Sequence, residues 1–120
     1  RSSEPETLEK ATKRILEEEL AFLGDNAADF FGQKLRAINL NTLTRETLST
    51  TLNLLIGNLH FGFLANTQTD VYVKKTIKGE EKKSVEVIIT RGFKNIDDVR
   101  AELGSHLLTA AVKIKELSNP

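Results

Sequence analysis

Residues 70–91 read DVYVKKTIKGEEKKSVEVIITR, and their period of two decides the fold class. Val71, Val73, Lys75 and Ile77 alternate with Tyr72, Lys74 and Thr76; Val85, Val87 and Ile89 then alternate with Glu86, Ile88 and Thr90. Between the two runs, Lys78-Gly79-Glu80-Glu81-Lys82-Lys83 reads as a polar turn, and Gly92 ends the unit. Both arms are rich in β-branched residues and free of proline, so the segment predicts a β-hairpin over 70–91.

Just upstream, Leu59, Phe61, Phe63 and Ala65 alternate with Asn58, His60, Gly62 and Leu64. Residues 58–65 therefore suit a third strand, although a helix running on to Ala65 also fits; the stop signal Gly57-Asn58 favours the strand. Before it, Thr44 is placed to cap a helix with Glu46 in its first turn and Leu48, Leu52, Leu55, Ile56 and Leu59 on one face. Leu43 and Leu48 are spaced for a hydrophobic staple across that cap.

The N-terminal part is helical. Leu8, Ala11, Ile15, Leu16, Leu20 and Leu23 recur at steps of three and four, predicting an amphipathic helix from Pro5 to Leu23 with Ser3 as its cap. Gly24 ends it, and Asp25 or Asn26 caps a second helix to about Ile38 with Ala27, Phe30, Phe31, Leu35 and Ile38 buried. After the hairpin, Asn95 or Asp97 caps a long helix reaching about Leu117, whose main face is Val99, Leu103, Leu107, Ala110, Ile114 and Leu117. The fold class is α+β: N-terminal helices, an antiparallel sheet of two or three strands, and a long C-terminal helix packed on the sheet.

The 120 residues suffice for one domain, with 5–120 as a single α+β unit and 1–4 as a tail or a scar. Methionine is absent and the chain opens on Arg1-Ser2-Ser3-Glu4-Pro5, so a processed chain or a domain cut from a longer protein is expected. Seventeen cations balance seventeen acids, which argues against a partner held mainly by bulk charge. No apolar run approaches the roughly 20 residues of a membrane-spanning helix, and no signal peptide is legible; the expected compartment is the cytoplasm.

Candidate chemistry is sparse. With no cysteine there is no thiolate ligand or nucleophile, and no HExxH, CxxC or DxDxDG spacing occurs. His60 stands beside Phe61, and His106 sits among leucines on the last helix with no acid at a suitable spacing; both read as structural or surface residues. If Phe61 and Phe63 point inward, His60 points the opposite way. Gly57 and Gly62 lack the strand, helix start and lysine of a phosphate loop. Glu17-Glu18-Glu19 reads as a solvated helix face, and Asp97-Asp98 as a helix N-terminus. The expectation is no catalytic residue, no metal and no cofactor.

Two features point to a partner. Leu108, Ala111 and Val112 lie off the main stripe of the last helix, so either the core wraps this helix on several sides or a second subunit does, making these three the candidate interface of a homodimer. The expected function is accordingly a non-catalytic protein-interaction or regulatory module. The hairpin segment also carries six cations, among them Lys74, Lys75, Lys78, Lys82 and Lys83, against four acids, while the residues before Gly24 carry four against six. Helices, a lysine-bearing hairpin and a final long helix resemble the order of a winged helix-turn-helix, so phosphate contact by these lysines is the alternative. The helix from Thr44 offers little basic charge beyond Arg45, which places nucleic acid second. A small-molecule sensor with a pocket between sheet and last helix comes third.

Overall fold

The computed structural model describes residues 7–24, 26–65, 69–75 and 87–118. Within them the elements run α1 (Leu8–Glu19), α2 (Ala27–Arg36), a 3-10 turn (Leu40–Thr42), α3 (Arg45–Gly57), β1 (Leu59–Phe63), β2 (Val71–Lys75), β3 (Val87–Thr90) and α4 (Ile96–Ser118). This is an α+β fold with helices before the sheet and a long helix after it. Residues 58–65 resolve in favour of the strand.

Local chemistry sets the helix starts. Thr7 caps α1, its hydroxyl accepting the Lys10 N–H at 3.1 Å, so the helix begins three residues after the expected Pro5 and ends at Glu19, before Leu23. The candidate cap Ser3 and the tail 1–4 lie outside the described residues. Thr44 caps α3 in a reciprocal box: it accepts the Thr47 N–H at 3.2 Å, and Thr47 Oγ1 accepts the Thr44 N–H at 2.8 Å. Asn95 caps α4 by accepting the Asp98 N–H at 2.8 Å. Asn26 precedes α2 but makes no cap bond, its amide being turned toward the sheet. The helix ends at Arg36, short of Ile38.

The sheet is antiparallel with order β1-β2-β3. β2 pairs Val71 with Thr90 and Val73 with Ile88, so Ile88 and Thr90 share the inward face of Val71 and Val73. This corrects the alternation read from sequence, which ran through Val87 and Ile89: those two point outward, 45% and 36% exposed. In the apolar triplet Val87-Ile88-Ile89 the cross-strand register, not the local pattern, chooses the face. The turn residues 76–86, Val85 among them, lie outside the described residues.

α4 is the hub. It packs against α1 along one side and α3 along another, and α2 packs on α1. One contiguous core joins Leu16, Phe31, Leu48 and Leu52 from the helices, Val71, Val73 and Ile88 from the sheet, and Val99, Leu103, Leu107 and Ala110 from α4. The apolar surplus of α4 is thus met largely inside the chain: Ala111 is fully buried, and Leu108 and Val112 lie partly buried against the core. Between the sheet and the last helix, Val71, Val73 and Ile88 share one buried core with Val99, Leu103 and Leu107. Among the described residues no helix is long and apolar enough to cross a membrane.

Candidate functional site

The two edges of the sheet differ. A backbone bond from Leu64 N–H to Asp70 C=O, 2.8 Å, continues the β1–β2 ladder by one pair and fixes its phase. Pairs 64/70, 62/72 and 60/74 exchange hydrogen bonds, so His60 and Gly62 turn their peptide groups toward β2. Leu59, Phe61 and Phe63 turn theirs the other way, to the outer edge. β2 then bonds β3 through its odd positions, which leaves Val87 and Ile89 facing the opposite outer edge.

That β3 edge is sealed by the α1–α2 connection. Asn26 Nδ2 donates to Val87 C=O at 3.1 Å, and the buried Thr90 hydroxyl donates to Phe22 C=O at 3.0 Å. Gly24 lies against the strand so closely that a Cβ there would stand 3.1 Å from Ile89 N and 3.3 Å from Ile89 O. Loop and strand meet backbone to backbone, one of the ways natural sheets block unwanted pairing.

The β1 edge has no such cover among the described residues. The outward N–H and C=O groups of Leu59, Phe61 and Phe63 have no hydrogen-bond partner there. β1 contains no proline or lysine, and its ladder to β2 runs without a bulge. Phe61 is buried with the Arg100 guanidinium 5.0 Å from its ring centre, whereas Phe63, two residues on, is 40% exposed. Phe61 and His60 take the faces expected for a strand, with His60 exposed; Phe63 shares the inward parity but stands at the margin of the core.

The outer face of the sheet is partly aromatic. The Tyr72 ring lies across Gly62, where a Cβ would meet its hydroxyl at 2.6 Å, and it stacks on His60 with ring centres 6.2 Å apart. Lys74 places its ammonium 5.6 Å from the same ring. Lys75 ends β2, while Lys78, Lys82 and Lys83 lie outside the described residues. α2 packs on α1 and α3 on α4, so α2 and α3 do not form the closely packed pair of a helix-turn-helix. A shallow groove of about 640 Å³ runs beside the sealed edge, lined by Phe22, Asn26, Val87, Ile89 and Arg91 with Leu23 and Gly24, away from the site expected for a sensor.

A second cluster lies on the seam between α1 and α4, and it corrects the reading of His106 as lacking a nearby acid. Its Nδ1 is 3.0 Å from Glu19 Oε1, its Nε2 is 3.2 Å from Glu102 Oε2, and the Phe22 ring lies 5.0 Å away. Glu102 stands at the i−4 position on the same helix, while Glu19 arrives from α1. Lys113 donates to the other Glu19 oxygen at 2.7 Å. The bond from Lys113, then that from His106, holds the Glu19 carboxyl below its ordinary pKa, and Glu19 in turn raises Lys113. The cluster ties α1 to α4; among the described residues no serine, threonine or tyrosine hydroxyl bonds to it. Among the described residues no three His, Cys, Asp or Glu side chains are grouped to hold a metal ion.

The β1 edge escaped sequence reading as a site because strand order is not a local property. The chain matches no known protein family, curated protein or solved structure.

Proposed function

We propose that this chain is a non-catalytic protein-interaction module that accepts an extended strand along the outer edge of β1. The observation that carries this reading is the asymmetry of the sheet: β3 is sealed by Phe22, Gly24 and Asn26, while the outward peptide groups of Leu59, Phe61 and Phe63 in β1 have no partner among the described residues. Added strands bind through main-chain bonds and gain selectivity from alternate side chains. Here those are the half-exposed Phe63 on the inward side and His60 on the outward side.

Selection of extended peptides on the intact chain, followed by amide chemical-shift mapping, tests the proposal. Binders that move the amides of 59–63 and lose affinity on Phe63→Lys support it. Binders that map elsewhere, or that are indifferent to Phe63, would refute it.

A further inference from the structure

Resting on the reading of β1 as a strand-accepting edge, we infer that its partner is a second copy of this chain, joined β1 to β1 into one continuous six-stranded sheet. Antiparallel pairing about a two-fold axis at Phe61 matches the phase of the open edge. It sets Leu59 opposite Phe63 of the second copy, Phe61 opposite Phe61, and Phe63 opposite Leu59, so all three outward peptide groups are paired at once.

The side chains of LHFGF suit this pairing with themselves. On the inward face the exposed Phe63 gains Leu59 of the second copy as its neighbour. On the outward face His60 comes beside Gly62 of the second copy, over which that copy's Tyr72 ring lies, so an imidazole faces an aromatic ring there, twice by symmetry. Nothing formal in β1 repels its copy, because it holds neither Lys, Arg, Asp nor Glu. The chain as a whole has a net charge of zero, so approach of two copies meets no bulk repulsion. Arg100, stacked over Phe61, is a like charge brought toward the axis, and with a five-residue edge it keeps the contact weak.

Two measurements on the chain of 120 residues test this. Sedimentation from about 1 µM to about 1 mM should show reversible dimerisation, lost in Phe63→Lys while the thermal unfolding of the dilute monomer stays unchanged. The sequence has no cysteine, so His60→Cys provides a single site for a nitroxide. The stated register separates the two labelled Cα atoms by about 8 Å, and strong dipolar broadening should grow with concentration. A dimer without broadening, or one that survives Phe63→Lys, overturns the inference. A chain that stays monomeric throughout also overturns it, and the strand-accepting reading then stands or falls separately on its selected peptides.

Discussion

One buried hydroxyl pins the connection that seals the β3 edge. Thr90 is 1% exposed, and its Oγ1 donates to Phe22 C=O at 3.0 Å, pinning the α1–α2 connection to the strand. Thr90→Val keeps the shape and removes the donor. A net hydrogen bond contributes about 0.5–1.5 kcal/mol, and a stranded buried carbonyl costs about 1–3 kcal/mol. Phe22 is only half-buried and retains some access to water, while the new methyl recovers part of the loss by apolar burial, so the expected cost is about 1 kcal/mol. Unfolding entropy near 2.1 cal/mol/K per residue converts this to a fall in Tm of about 4 °C for a chain of this length. Thermal and urea unfolding by circular dichroism measure it, with an unchanged urea slope expected because the buried surface is the same. Amide exchange at Leu23 and Ala27 should quicken, since their N–H groups bond to Leu20 C=O and Gly24 C=O of the released connection. A variant as stable as the parent, with unaltered exchange there, would refute the seal.

Three further outcomes follow from the same contacts. Glu19→Gln should cost up to about 1 kcal/mol at neutral pH. Because the folded state lowers the Glu19 pKa, its contribution is present above the ordinary value of 4.5 and is lost as pH falls through the lowered folded value, so parent and variant should converge in acid. Gly62→Ala should displace the Tyr72 ring without unfolding the chain, because the added Cβ meets the far end of that side chain at 2.6–2.7 Å; the sole tyrosine, with no tryptophan present, reports it by fluorescence. Leu103→Ala, at a fully buried position of α4, should cost about 2–5 kcal/mol in urea unfolding, whereas Leu54→Ala, 67% exposed, should stay within about 0.5 kcal/mol.

Features fixed by near neighbours were legible in the chain. The caps Thr44 and Asn95, the strand character of 71–75 and 87–90, and the stop at Gly57-Asn58 all arise within a few residues. Competition between nearby hydroxyls was harder, and Thr7 rather than Ser3 starts the first described helix. Features fixed by distant neighbours were not legible. Ile88 and Thr90 face inward because Val73 and Val71 stand opposite them, which the apolar triplet around Ile88 cannot reveal. The apolar surplus of α4 was visible, but not that α1 and α3 take up much of it. Glu102, four residues before His106, was open to inspection, whereas Glu19 lies 87 residues away. The same holds for β1: its alternation can be read, its position at an uncovered edge cannot.

Residue-resolved amide exchange across a concentration series tests the central claim most directly, that β1 pairs its outer edge with β1 of a second copy. In dilute solution His60 and Gly62, bonded to β2, should exchange slowly, and Leu59, Phe61 and Phe63 quickly. As concentration rises, these three amides, and no others in the sheet, should slow together. Protection of all three already in the dilute monomer, or fast exchange that persists at the highest concentration, would contradict it.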